Sequence, residues 1–342
     1  MDFTFAARRW REQDDDGRHP DFALGLHASG HHEKALDVRA CHLQGEVGDR
    51  ILSLARSLAL EHGLRPWDLA HHTGFLRHLV VRRSEASDEW LVYVVTSHED
   101  EPRFETWWRA LLAAEPRITT LVHGPTSRVS GVALGDEDRV LFGPGHVREA
   151  LGSATFRVSA RSFFQTNSAQ AQRLLDVVRA FALGERAVGG TLLDLYCGAG
   201  LFSIALAPAF ERVVGVELVE AAVLDARANA EANGVRHAHF EVADAAAWLV
   251  QQTQDGAAHA PFDVAIVDPP RAGVHESVVR ALALAGPPRL VYVACHLESA
   301  ARDLAPLLDG SLGVPYRLER SALVDLFPHT PHLEGVFALV RP

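Results

Sequence analysis

In the second half of the chain, apolar residues gather into short runs with a changing period between them. "TLLDLYC" (191–197), "RVVGVEL" (212–218), "HAHFEVAD" (237–244), "FDVAIVDPP" (262–270) and "RLVYVAC" (289–295) are five runs of strand length. Ala-rich stretches of helical spacing, such as "EAAVLDARANAEANG" (220–234), separate them. Strands that alternate with helices fold as βαβ units, whose crossovers lay the strands parallel in one sheet. Two further runs, "YRLERSALVDLFP" (316–328) and "LEGVFALV" (333–340), have no helix between them and are expected to pair as an antiparallel hairpin on the sheet edge. The pattern predicts a Rossmann-like, seven-stranded α/β domain over residues 166–342. The helix that leads into it is "SAQAQRLLDVVRAFAL" (168–183), with Ser168 as N-cap and Leu174, Leu175, Val178 and Phe181 on one face.

Upstream the rhythm differs. "FLRHLVVRR" (75–83) and "EWLVYVVTS" (89–97) cluster β-branched residues, and "HGPTS" (123–127) and "GDEDR" (135–139) read as turns between later strands. Residues 1–165 are therefore expected to form a smaller α+β central domain that faces the substrate. Internal repeats and low-complexity segments are absent.

Composition narrows the function classes. No apolar run reaches the roughly 18–20 residues of a membrane span, and "MDFTFAARRWREQDDD" lacks the apolar core of a signal peptide, so a cytoplasmic, monomeric protein with no membrane partner is expected. Cys41, Cys197 and Cys295 are too scattered for a disulfide framework or a metal knuckle, which predicts free thiols and no bound metal. A net charge of -11 argues against a protein that coats nucleic acid and leaves room for an enzyme with a local basic groove. Lys34 is the only lysine, so such a groove would be made of arginine; Arg77, Arg82 and Arg83 are the expected contacts, and RNA affinity should be weak and salt-sensitive.

The chemistry concentrates at the ends of the predicted strands. "DLYCGAGLFS" (194–203) is a strand that breaks into a glycine turn and enters a helix, where Gly198 and Gly200 let backbone approach a ligand. Glu217 closes the next strand about 20 residues on, positioned to accept hydrogen bonds from ribose hydroxyls, and Asp244 ends the third run, where it could meet an adenine edge. The glycines do not fit the six-residue dinucleotide fingerprint and no phosphate-binding lysine follows them, so a nucleoside without phosphates, S-adenosylmethionine, fits better than NAD or ATP. Cys197 reads as a packing residue in the turn. Asp268 and Cys295 end the fourth and fifth runs, and neighbouring strand ends in a doubly wound sheet open on one crevice.

Taken in order, "SFFQTN" (162–167), "DLYCGAG" (194–200), "DPPRAG" (268–273), "YVAC" (292–295) with "ARDL" (301–304), and "FPHTPHLEGVFAL" (327–339) resemble the motifs of the RNA uracil-5-methyltransferase family, which forms 5-methyluridine in ribosomal and transfer RNA. "FALGLHASGHHEKALDVRAC" (22–41) and "GFLRHLVVRR" (74–83) resemble its central domain, nearest to the ribosomal RNA branch. The resemblance implies S-adenosylmethionine-dependent methylation of carbon 5 of a uridine, in 23S ribosomal RNA more than in transfer RNA. Cys295 would be the nucleophile and Glu334 the base; Gln165, Tyr196, Gly198, Gly200, Glu217, Asp244 and Asp268 would form the cofactor site. The reaction requires such a set, because carbon 5 of uracil becomes nucleophilic only once a thiolate has added at carbon 6, and a base must then remove the carbon 5 proton. A flipped base also needs a stacking partner, for which Phe163 and Phe164 are candidates.

The sequence departs from the family pattern in two places. His296 follows the cysteine where the family has asparagine. The chain opens at "MDFTF", inside what the resemblance marks as the central domain, with no counterpart to the family's amino-terminal RNA-binding barrel or to the cysteines that hold an iron–sulfur centre in many members; either a compact form or a start further upstream is expected, and no cluster in this chain. Two other readings compete. A catalytically inactive RNA-binding or assembly protein would account for His296, but gives no reason to keep Cys295 and Glu334 together. An amino-group methyltransferase would account for "DPP", yet Arg271 stands where such enzymes place a stacking aromatic.

Overall fold

A computed structural model describes residues 1–10, 22–28, 30–162, 164–165, 167–254 and 262–341, and within it the chain separates into two compact units. The first comprises Met1–Glu149 and Val158–Arg161, the second Ala150–Arg157 and Ser162–Pro342.

The first unit is built on a seven-stranded sheet. In chain order its elements are β1 (Asp2–Ala6), β2 (Ala23–Ala28), β3 (His31–Asp37), α1 (Gly45–Glu61), β4 (Leu76–Arg83), β5 (Trp90–Thr96), α2 (Arg103–Ala114), β6 (Ile118–Pro125) and β7 (Arg139–Phe142). The strands lie in the order β3-β2-β1-β4-β5-β6-β7, antiparallel except for β5 and β6, which α2 connects in parallel. Both helices were missed in the sequence, although Ile51, Leu52, Ala55 and Ala59 repeat at helical spacing on α1 and pack with Trp107 and Leu111 of α2 into the unit's core.

The structure corrects the arginine groove. Arg82 and Arg83 are adjacent on a strand and so point to opposite faces. Arg77 is buried: it donates to the backbone oxygens of Arg128 and Ser130, and its guanidinium stacks 4.3 Å from the centre of the Trp67 ring. Three arginines close in sequence thus serve three different surroundings, and Arg77 braces a loop.

A hairpin of β8 (His146–Leu151) and β9 (Ala154–Ser159) leads to the second unit. There the elements are α3 (Ser168–Leu183), β10 (Gly189–Leu195), α4 (Leu201–Leu206), β11 (Phe210–Glu217), α5 (Glu220–Ala232), β12 (Ala238–Val242), α6 (Ala245–Gln254), β13 (Val264–Val267), α7 (Glu276–Ala285), β14 (Arg289–Ala294), α8 (Leu297–Leu308), β15 (Arg317–Val324) and β16 (Glu334–Val340). Every predicted run forms its strand. The sheet order is β12-β11-β10-β13-β14-β16-β15; the first five strands are parallel, and β16 enters between β14 and β15 and runs antiparallel to both. The helices cover the sheet because its central strands are apolar on both faces, with Leu193, Leu195, Val267, Leu290 and Tyr292 in one core. The helix α3 spans the predicted residues, but its N-cap is Asn167 in place of Ser168: the Asn167 side chain accepts a hydrogen bond from the Gln170 amide at 3.2 Å. Both residue types cap well, and the backbone leaves helical geometry one residue earlier than the sequence suggests. Among the described residues no helix is long and apolar enough to cross a membrane.

Candidate active site

The glycine turn after β10 is held from both sides. The backbone amides of Tyr196 and Cys197 both donate to the Val216 oxygen, at 2.9 and 3.2 Å, and Tyr196 is bent to φ 64°, a left-handed conformation that a bulky side chain rarely adopts. Gly200 has φ 85°, and a Cβ there would come within 2.9 Å of Ile204. Beneath the turn, the carboxylate of fully buried Asp194 accepts from the Ser203 amide at 3.0 Å and hydroxyl at 2.6 Å, which ties the strand to α4. Its other oxygen has no partner, and burial, reinforced by Asp268, pushes its pKa up to about 7.

Glu217 ends β11 and clamps the turn. One carboxylate oxygen accepts from the Gly198 amide at 3.2 Å, the other from Val219 at 2.9 Å. Each oxygen keeps a lone pair that a ribose hydroxyl could use. Asp244, past β12, gives one oxygen to the Ala247 amide at 2.9 Å and so caps α6. Gln165, Tyr196, Gly198 and Asp268, with Phe156 and Phe164, line one cleft. A Cβ on Gly198 would meet nothing within 4 Å, so the space above the turn is open for a ligand. This cleft suits a nucleoside: it offers aromatic faces, the Gln165 amide and the Asp268 carboxyl, and the helix after the turn, α4, is too short to serve as a phosphate cradle. Cys197 is buried and packs where a side chain on Gly215 would have to go, which supports its reading as a packing residue. Phe163 lies outside the described residues; Phe164 lines the cleft and packs on Phe156 with ring centres 5.6 Å apart.

The second group of side chains sits on three neighbouring strand ends. Asp268 follows β13, Cys295 follows β14, and Glu334 opens β16; in the sheet these strands are adjacent, with β14 in the middle. Ala294 pairs with Gly335, so the next residues along, Cys295 and Glu334, lie opposite each other at about one interstrand spacing, roughly 5 Å. The thiol thus has a carboxyl on either side. Burial, then Glu334, then Asp268 raise the Cys295 pKa, while Arg271 lowers it. Burial lifts Glu334 to about 7, and burial together with Glu334 lifts Asp268 to about 7. Two carboxyls facing one crevice resist ionising together, so the charge of Glu334 adds to burial in raising Asp268.

One residue that sequence reasoning passed over locks this arrangement. Asp303 of α8 accepts from the buried Tyr292 hydroxyl at 2.7 Å and from the Val274 amide at 2.8 Å with the same oxygen; its other oxygen takes Arg302. Gly273 has φ 81°, and a Cβ there would lie 2.2 Å from the Asp303 carboxylate. The glycine of "DPPRAG", the tyrosine of "YVAC" and the aspartate of "ARDL" therefore form one joint between the loop after β13 and the strand that carries Cys295. Their spacing in three separate motifs was the only signal in the sequence. The His296 departure also finds its place: His296 is the N-cap of α8, and its Nδ1 accepts from the Ser299 amide at 3.3 Å. An asparagine side chain could make the same bond, so the exchange preserves the cap beside the thiol.

Comparison with known proteins establishes the family. The model of the tRNA (uracil-5-)-methyltransferase family matches residues 128–341. The chain belongs to that family. It is 38% identical over 321 residues to an uncharacterized RNA methyltransferase of Chlorobaculum tepidum, an alignment that covers 94% of this chain and 65% of the relative. A second uncharacterized RNA methyltransferase, from Porphyromonas gingivalis, is 36% identical over 354 residues, covering 100% of this chain and 74% of the relative. Among solved structures, the Pyrococcus abyssi tRNA (uracil-54, C5)-methyltransferase in complex with S-adenosyl-L-homocysteine superposes with a TM-score of 0.77 at 30% identity, over 99% of this chain and 75% of that one. The chain thus spans between about two thirds and three quarters of the length of these relatives. Its second unit has the fold of the S-adenosylmethionine-dependent methyltransferases, the cofactor expected from the glycine turn and Glu217. Among the described residues, no group of three or more His, Cys, Asp or Glu could hold a metal ion.

Proposed function

We propose that the protein methylates carbon 5 of a uridine in RNA through a covalent adduct with Cys295. The observation that carries this reading is the flanking of one thiol by Glu334 and Asp268 on adjacent strand ends, beside a cleft suited to a nucleoside. Carbon 5 of uracil is a weak nucleophile. Addition of the Cys295 thiolate to carbon 6 turns the ring into an enolate with electron density at carbon 5. S-adenosylmethionine, when bound, supplies the electrophilic methyl that carbon 5 takes up. Glu334 then removes the carbon 5 proton, the double bond re-forms, and the Cys295 thiolate leaves carbon 6. An elevated pKa suits Glu334 to this step, because a carboxylate near 7 is a stronger base than one near 4 while still ionised in part at neutral pH.

Gln165, Tyr196, Gly198, Gly200, Glu217 and Asp244 are assigned to the cofactor, with Glu217 at the ribose. Asp268 lines the cofactor cleft and also faces Cys295, so it stands where cofactor and uracil meet. The substrate we assign is ribosomal RNA, 23S in particular, on the likeness of "FALGLHASGHHEKALDVRAC" and "GFLRHLVVRR" to the ribosomal branch; the first unit, which contains both, is assigned to RNA contact. Mass spectrometric mapping of methylated uridines in ribosomal and transfer RNA from cells with and without the gene tests both parts. Loss of a 5-methyluridine from 23S RNA is expected. Loss from transfer RNA would move the substrate, and a product methylated on an exocyclic amine would overturn the reaction.

A further inference from the structure

The loop after β13 and the loop before β16 flank the end of β14, where Cys295 sits, and a contact between Arg271 and His332 joins them. The Arg271 guanidinium lies 3.4 and 3.5 Å from the two ring nitrogens of His332, two residues before Glu334. Arg271 is held in position by its backbone: it lies between Pro270 and Ala272, the Gly273 amide donates to the Pro270 oxygen at 2.8 Å, and Arg302 donates to the Ala272 oxygen at 2.6 Å. Its side chain is exposed and, among the described residues, makes no ion pair with a carboxylate. That is notable beside Asp268 and Glu334, in a chain of net charge -11. A guanidinium fixed at its root, free of carboxylates and level with the nucleophile is equipped to take an external anion, and its planar fork matches phosphate oxygens.

We infer that Arg271, braced by His332, binds a backbone phosphate of the RNA next to the target nucleotide. This rests on the reading that the substrate is RNA; it does not depend on which atom of the base is methylated. A phosphate here would fix the sugar on the rim while its base enters the crevice below. The contact reads charge and shape, so it adds affinity and register without selecting a base.

The experiment measures binding of a fluorescent single-stranded oligouridylate, and of an oligocytidylate, to the full chain with S-adenosylhomocysteine present, across a range of salt concentrations. Removing one phosphate contact should lower the slope of log affinity against log salt by about 0.7. Arg271→Ala is expected to show that loss on both oligonucleotides, with affinity down about tenfold. Arg271→Lys should keep the slope, because the charge remains, and His332→Ala should weaken binding without changing it. An unaltered slope for Arg271→Ala, or failure of the wild-type chain to bind either oligonucleotide, would overturn the inference. Arg271 also acts on the thiol, so methyl transfer is not the readout. If 5-methyluridine is never formed but the slope falls as stated, the proposed reaction is wrong and the phosphate contact stands.

Discussion

Glu334→Gln is expected to trap the protein on its RNA. The amide keeps the shape of the carboxyl but cannot take the carbon 5 proton, so the sequence of steps halts after the Cys295–carbon 6 bond has formed and before it can break. The same substitution changes the first step in the opposite direction. Burial and the neighbouring carboxyls raise the Cys295 pKa, which disfavours the thiolate that must attack carbon 6. Glu334 is the largest charged contributor to that shift, so its loss should bring the thiol pKa down and raise the rate of alkylation by iodoacetamide at fixed pH. Turnover should fall by about 10²–10⁴, the usual worth of a general base. On a denaturing gel with RNA and cofactor, Glu334→Gln should give a retarded, ribonuclease-sensitive band that disappears when Cys295→Ala is added. Near-normal turnover by Glu334→Gln, with no such band, would refute the assignment and leave Glu334 as a buried residue at the start of a strand.

Two stability predictions follow from the buried groups. Asp303→Ala would strand the Tyr292 hydroxyl and the Val274 amide in the core, at about 1–3 kcal/mol each, so a denaturant titration should show about 3 kcal/mol lost; a change under 1 kcal/mol would mean that water replaces the carboxylate. Asp194 has a folded pKa raised from about 4 to about 7, so its contribution is fully present below about pH 4 and is lost as pH rises through about 7. By thermal melts, Asp194→Asn should gain on the wild type by on the order of 3–4 kcal/mol between these limits. The comparison with the variant matters because buried His78 and half-buried His123, whose pKa values are lowered to about 3 and about 4, give the whole chain an opposite trend as pH falls. A gap that stays flat with pH would show that Asp194 remains ionised in the folded state.

The strands and the glycine turn were legible because their signals are local: a run of β-branched residues, a break at glycine, an acid at the next strand end. The pairing of Cys295 with Glu334 was not local. It depends on β16 entering the sheet between β14 and β15, and nothing in the two runs distinguishes that order from a hairpin added with β15 innermost. Asp303 was illegible for the same reason, since a polar residue on an amphipathic helix gives no hint that it faces Tyr292 and Gly273. The arginine groove failed on a local rule that was available: successive residues of a strand alternate in direction, which separates Arg82 from Arg83 whatever the tertiary structure. Arg77 was hidden until its partners, Trp67 and the 128–130 backbone, came together.

The insertion of β16 also bears on how the protein is made. Chains emerge and fold from the amino terminus, so β10 to β14 and the thiol are synthesised before the strand that carries Glu334, the proposed base. Until β16 docks, β14 is an open sheet edge and Cys295 has no partner at its side that could release a bound uracil. A nascent chain that bonded RNA at this stage would be in the condition of Glu334→Gln, unable to let go. Under the proposed reaction, the strand that closes the sheet edge is also the one that would make the adduct at Cys295 reversible, so the thiol would gain its means of release in the same event that completes the fold.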